Sequence, residues 1–479
     1  MKQVDEILSR HYKTVFWFLS GFFLVLYLML VGGDYVWVDE SYSIAMVKHS
    51  FSEIWEITAL DNHPPLYYWY LKIATAPFGY GLTAAKIASI LPYMFIIVFG
   101  GKQIHKYFNA RTAVLFMIMF FCFPFILPYS IEIRNYALAS AFVFACAVFA
   151  YRFWLEQGKM TDMAGLIISG VLAAYTHYFA FVSVCIIYGL LLIAVLAGRK
   201  QLWKKWLLSV VISIVLYVPW FSCFVSQLVY KASHEYWIEE ITLGTLYGYF
   251  VYLFGLGGDA PYALLFAVVF AAAYLACFLW ILASREKKDT LLCVCCILVP
   301  VGTLAVGVLA SILVRPVFIL KYLVPAIPLL VTFMAIVLGK LNNTILFSCI
   351  LSIVLVGGVS KYGLTIYSEY TNHNYLPIEE YGDVDAYIVV GDSHVAGTLG
   401  YYVTEKTIYA DVDLHAANPY PNRVPTDTLN YDDVDNAIML LGVGKTPPVE
   451  CHERYNIQYL GQWTCERGTD AFLLTKKMG

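Results

Sequence analysis

The chain has 479 residues; 60% are hydrophobic, 17% aromatic and only 14% charged, with a mean hydropathy of +0.68. Apolar runs of about 18–22 residues recur along it, which excludes a soluble globular protein and argues for a polytopic helical membrane protein. The net charge of −3 hides a split: residues 372–479 hold 16 Asp/Glu against 7 Lys/Arg, and the remainder 18 against 24. A basic membrane part thus carries an acidic, water-exposed tail, and nothing resembles a basic face for nucleic acid.

The first apolar run starts near Thr14 and has no small-residue cleavage site after it, so it reads as a retained helix. Eleven spans are expected, at 14–32, 83–101, 112–129, 134–152, 162–176, 178–197, 206–224, 261–284, 290–313, 317–339 and 344–359. Placing the N-terminus in the cytoplasm gives the inner segments 16 Lys/Arg, with Arg285, Lys287 and Lys288 among them, and the outer segments before the tail 7. This bias predicts a multi-pass plasma-membrane protein with its first loop and tail outside. The apolar stretch Gly244–Gly257 is too short for a span and reads as re-entrant or interfacial.

The first outer loop, about 33–82, contains VWVDESYSIAMVKHSFSEIWEITALDNHPPLYYWYLK from Val36 to Lys72. Segments 41–60 and 65–78 read as amphipathic helices on the membrane, broken by the rigid turn His63-Pro64-Pro65. After the last span, Ser360–Pro377 is polar and turn-rich. Strands are then expected at Asp385–Val390, Asn436–Leu441, Gln458–Leu460 and Ala471–Thr475, with a helix closing near Tyr401–Glu405. The expected fold is an all-α polytopic membrane protein of about eleven transmembrane helices, residues 1–360, followed by a small extracytoplasmic α/β domain, residues 372–479. Nine of the eleven cysteines lie in or beside apolar runs; Cys451 and Cys465 lie in the tail, where an oxidising compartment would let them pair.

Five constellations carry chemistry. Asp39-Glu40 follows the first span; a carboxylate there can take a proton from an acceptor hydroxyl, or it can serve as a first-turn acid for the helix that follows. Glu132 and Arg134 sit in a tight turn between spans, either as a mutual ion pair or with Glu132 facing the same cavity as Asp39. His177 is a lone histidine between spans, a ligand or a satisfied neighbour. Arg315 and Lys321 open the tenth span against the positive-inside bias, as a phosphate clamp or as snorkelling anchors. Gly391-Asp392-Ser393-His394 reads as a strand-to-helix turn, since adjacent residues do not make a triad.

Taken in order, WVDESYS, HPPLYYWYLK, YSIEIRNYALASA, YTHYFAF and RPVFILKYLVPAIP resemble the signatures of the GT-C membrane glycosyltransferases. More narrowly they are similar to the bacterial branch of the protein O-mannosyltransferases of family 39, with the lipid A aminoarabinose transferases as relatives. The resemblance spans about residues 1–340. It implies a many-helix fold with a cavity under the first outer loop and a donor sugar carried on a polyprenyl phosphate. It implies Asp39 as catalytic base with Glu40 and Glu132 beside it, and Arg315, Lys321 and Lys72 as donor-phosphate cations. His63, Tyr67, Arg134, Tyr136 and His177 would line the cavity. Lys321 stands where Arg is common, and Ser41-Tyr42 follows the acidic pair where the aminoarabinose transferases carry an Arg. The implied partners are the polyprenyl-phosphate sugar, a glycan, lipid or protein acceptor, and membrane lipids, with no nucleic acid. No metal ligand set is evident; a divalent cation near His63 or Glu132 stays open. A transporter or flippase for a lipid-linked substrate, and a non-catalytic envelope assembly protein, are the alternatives.

Overall fold

The computed structural model describes residues 2–233, 238–257, 262–284, 287–381, 384–410 and 418–477. Its helices are α1 (Lys2–Leu28), α2 (Val38–Met46), α3 (Phe51–Leu60), α4 (Leu66–Thr75), α5 (Leu82–Tyr107), α6 (Ala110–Phe121), α7 (Tyr136–Leu155), α8 (Met160–Thr176) and α9 (Tyr178–Gly198). They continue as α10 (Trp203–Ser233), α11 (Leu243–Phe254), α12 (Ala263–Ala283), α13 (Lys287–Leu313), α14 (Ile327–Lys340), α15 (Thr344–Thr371), α16 (Ser393–Tyr402) and α17 (Val449–Arg454). Two compact units result: one of residues 1–31, 63–67 and 86–367, the other of residues 32–62, 68–85 and 368–479.

In the membrane unit, nine helices among the described residues are long and apolar enough to cross a bilayer. The spans expected at 112–129 and 162–176 fall instead on the shorter α6 and α8, of 12 and 17 residues. α11 also has 12 residues, about 18 Å of rise, which is short of a hydrocarbon core. The segment Leu320–Lys340 is buried throughout its apolar window, so this helix is the centre of the unit. Its sequence is hydrophobic all round because every face meets another helix. With lipid outside, such packing rests on fit: Gly339 lets Thr112 of α6 approach where a Cβ would collide. Two buried charges have polar partners inside the unit. Arg152 pairs with the fully buried Asp162 at 2.6 Å, and Arg111 donates to the carbonyls of Leu338 and Leu341, each at 3.0 Å. Of the cations used for orientation, Arg285 lies outside the described residues, as do the side chains of Lys2, Lys231, Lys287 and Lys288.

α15 runs three turns past the expected end at 359, into the stretch expected to be turns. No proline interrupts it, and Tyr362 on this extension donates to the Leu26 carbonyl of α1 at 2.9 Å. Tertiary contact thus outweighs polar composition.

The second unit joins the first loop to the tail. The single helix expected over 41–60 is two, α2 and α3, because Ser50 and Glu53 form a capping box that starts a new helix. The tail is a six-stranded sheet of β1 (Ala386–Val389), β2 (Thr407–Ala410), β3 (Arg423–Pro425), β4 (Asn436–Gly442), β5 (Tyr455–Cys465) and β6 (Arg467–Lys476). The order is β3-β2-β1-β4-β6-β5, with the first four strands parallel and the last two antiparallel. Tyr387 and Val389 of β1 join the core on one face, and Ala386 and Ile388 that on the other. Burial on both faces explains the continuous apolar run of this strand. The same division settles the cysteines: Cys465 lies in the first core and Cys451 in the second, on opposite faces, and both are free thiols. The sheet stands between them, so the pairing expected from their shared compartment does not form.

Candidate active site

Asp39 and Glu40 occupy the first turn of α2, whose N-cap, Trp37, makes no side-chain capping bond. Glu40 is 5% exposed, whereas Asp39 is half-buried. The Asp39 carbonyl accepts from Ser43 Oγ at 2.9 Å, which ties the first turn to the second. Tyr35, just before the helix, is pushed up to about 12 by burial, and next by the carboxylates of Glu466 and Glu40. Ser41 is fully buried; its hydroxyl donates to the Gly397 carbonyl of α16 at 2.7 Å and lies 2.8 Å from the Tyr420 hydroxyl. Full burial and these two contacts give a packing reason for a serine at this position.

Lys72 of α4 donates to the Val47 carbonyl at the end of α2, at 2.8 Å, and lies over the rings of Phe51 and Tyr80. Its charge therefore complements the negative end of the helix that carries Asp39 and Glu40.

The membrane unit gathers a second group. His177 caps α9, its Nδ1 accepting the Phe179 N–H at 3.1 Å, which leaves the proton of a neutral ring on Nε2. Around this buried ring stand Tyr322 at 5.0 Å, Tyr136 at 5.6 Å and His63 at 6.0 Å between ring centres. Lys321 Nζ lies 5.7 Å from the centre of the Tyr136 ring. Lys321 and Tyr322 belong to a seven-residue 3-10 turn, Leu320–Ala326, that leads into α14; its Val324 carbonyl accepts from Ser140 Oγ of α7 at 3.2 Å. That bond holds the turn beside the helix that presents Tyr136.

The turn before α7 supplies the acid. Burial pushes the Tyr129 phenol well above its ordinary range, and the nearby Glu132 carboxylate adds to the shift. Arg134 is 5% exposed, and its N–H donates to the Glu132 carbonyl at 2.8 Å. In the same turn Ser130 Oγ and Asn135 Oδ1 are buried with no hydrogen-bond partner among the described residues. Tyr67 is 2% exposed, and Arg315, after α13, is half-buried. No three His, Cys, Asp or Glu side chains gather to hold a metal among the described residues.

Of the expected site residues, His63 and Tyr136 thus gather around His177 together with Tyr322, and Lys321 lies over Tyr136, while Asp39 and Glu40 start α2 and Lys72 meets its far end. The sequence reading passed over Tyr322, Asn135 and Lys86. Lys86, the fifth residue of α5, is 2% exposed. A cation one turn inside an apolar span was a usable signal, because such a charge is rarely placed there without a task.

A multi-pass helical membrane unit with a first loop folded onto a small α/β tail defines the class: the chain has the GT-C fold. Residues 62–223 match the model of the dolichyl-phosphate-mannose-protein mannosyltransferase family. The chain is similar in structure to ArnT from Cupriavidus metallidurans in the apo state, with a TM-score of 0.63 at 15% identity, covering 95% of this chain and 97% of that one. The same protein bound to undecaprenyl phosphate gives a TM-score of 0.61 at 15% identity, with the same coverage. No curated protein sequence matches the chain.

Proposed function

We propose that the protein is an integral membrane glycosyltransferase that moves a sugar from a polyprenyl-phosphate-linked donor to an acceptor hydroxyl on the outer face of the membrane. The observation that carries this reading is the near full-length likeness to a structure holding undecaprenyl phosphate, together with the mannosyltransferase family match.

The chemistry needs few groups. Asp39 takes the proton of the acceptor hydroxyl as its oxygen bonds to the anomeric carbon. The bond from that carbon to the phosphate oxygen breaks, and the electron pair leaves with the polyprenyl monophosphate. Attack opposite the phosphate inverts the anomeric centre. Arg315 and Lys321 stabilise the charge that develops on the leaving phosphate, where cations contribute most. Glu132, Tyr136, His177 and Tyr322 shape the cavity, and the buried oxygens of Ser130 and Asn135 add acceptors for donor hydroxyls.

The test is transfer from labelled polyprenyl-phosphate sugars, set beside nucleotide sugars, by the purified protein in liposomes, with the lipids that co-purify identified by extraction. Transfer from a polyprenyl-phosphate sugar alone is expected. Movement of a lipid-linked substrate across the bilayer without any transfer would support a transporter instead. The outer-face assignment has its own check: Ser393→Cys, at an exposed position, should label in intact cells. Labelling only after permeabilisation would reverse the topology.

A further inference from the structure

The N-cap residue of the helix that carries Asp39 and Glu40, Trp37, makes no side-chain capping bond. The donor at its start is met from elsewhere in the second unit. The Val38 N–H donates to Glu466 Oε2 at 2.7 Å, across 428 residues of sequence. Glu466 is the one residue between β5 and β6. We propose that Glu466 is a positioning residue for the transfer reaction: its carboxylate caps α2, so that the C-terminal domain sets the aim of the first-loop acids. The catalytic part of this rests on the reading of Asp39 as base.

Three observations support it. First, the carboxylate is itself held. Its Oε2 also accepts from Thr398 Oγ1 at 3.2 Å, its Oε1 lies 3.1 Å from His394 Nδ1, and the side chain is 15% exposed. A carboxylate fixed by α16 and meeting a helix N-terminus is a strong, directional cap. Second, the backbone around it grips the same segment from the other side. The Glu466 N–H donates to Asn374 Oδ1 at 2.8 Å, and Asn374 Nδ2 donates to the Val36 carbonyl at 2.7 Å. Val36 to Val38 is thereby held by both its carbonyl and its amide. Gly397 of α16 then lets Val38 approach closely, since a Cβ there would lie 2.7 Å from Val38 Cγ2. Third, Glu466 has φ +62, a left-handed conformation that glycine or asparagine adopts more readily. A hairpin chosen for its own stability would carry glycine here. A glutamate in a strained turn persists when its side chain has a task elsewhere.

The third observation supplies the test. Glu466→Gly relieves the turn and deletes the cap, so it separates the sheet from the helix. Hydrogen exchange of the full-length protein is expected to show the α2 amides exchanging about tenfold faster, a loss typical of a missing cap, while those of β4 and β6 are unchanged or slower. kcat for transfer should fall about tenfold with the donor KM within twofold, because the base is misaimed while the phosphate cations are intact. Glu466→Gln, which keeps an oxygen for the Val38 N–H, should restore both. Unchanged α2 exchange in the glycine variant would overturn the proposal, and so would exchange rising equally across the sheet. Loosened α2 with unchanged kcat overturns it where Asp39→Asn is inactive. Where Asp39→Asn is fully active, the same result removes the base assignment and leaves the cap by Glu466 standing.

Discussion

Lys321 Nζ stands over the face of Tyr136, 5.7 Å from the ring centre, and the same ring packs against His177. An aromatic face attracts an ammonium and so helps to place it. Tyr136→Phe retains the face and should leave the donor KM within about twofold. Tyr136→Leu removes it, and a loss of about 0.5–2 kcal/mol should raise the donor KM about 2- to 30-fold. Equal KM values for the two variants would mean that the ring does not position Lys321.

Arg315 is the second cation expected at the donor phosphate. Arg315→Ala should weaken donor use far more than Arg315→Lys, because a point charge replaces much of what the guanidinium does. One charge-assisted contact in a partly dry site contributes about 1.5–3 kcal/mol, or about 10- to 150-fold in apparent affinity. Titration of polyprenyl-phosphate sugar against each variant decides the matter: an alanine variant that binds normally makes Arg315 only an anchor.

The membrane spans were legible because their signal is composition over about 20 residues, which no local exception erases. What stayed hidden was set by contacts between distant segments. The extension of α15 depends on the Tyr362 bond to Leu26, and the strands Thr407–Ala410 and Arg423–Pro425 are too short to carry a period. The site divides in the same way. Asp39, Glu132 and Lys321 stood out as charges in apolar surroundings, whereas Tyr322 was one aromatic among many. Glu466 looked like an ordinary acid of an acidic tail, and only its bond to Val38 and its positive φ single it out.

One exposed cluster gives a pH dependence of stability. The Glu156 carboxylate accepts from Tyr107 at 2.6 Å and from Lys106 at 3.0 Å, and these bonds hold its pKa down at about 2, against an ordinary value of 4.5. A depressed carboxylate stabilises the folded state fully above the unfolded value of 4.5, and the contribution is lost as pH falls towards 2. Thermal melts of the wild type and Glu156→Gln in detergent should therefore converge as pH is lowered from about 5 to 2.5. Melting curves that keep a constant offset over that range would show that the cluster does not act on stability.

Asp39 carries the sharpest expectation. It lies in the first turn of α2 and is half-buried, while its neighbour Glu40 is 5% exposed. Successive helical residues point about 100° apart, so the two carboxylates cannot face one reacting hydroxyl equally. The more accessible of them is the better placed to meet an acceptor, which favours Asp39 as the proposed base. Asn has nearly the shape of Asp and still serves the first turn, but it cannot accept the proton. Asp39→Asn should fold, reach the membrane and bind donor, yet transfer sugar at least about 100-fold more slowly, the lower end for loss of a general base. Glu40→Gln should do less to the rate and more to stability, because the buried carboxylate gives up its polar contacts. Single-turnover transfer from a labelled polyprenyl-phosphate sugar, with donor binding measured separately, distinguishes chemistry from binding. Near-normal transfer by the asparagine variant would remove Asp39 as base and pass the role to Glu132, whose carboxylate stands by Tyr129.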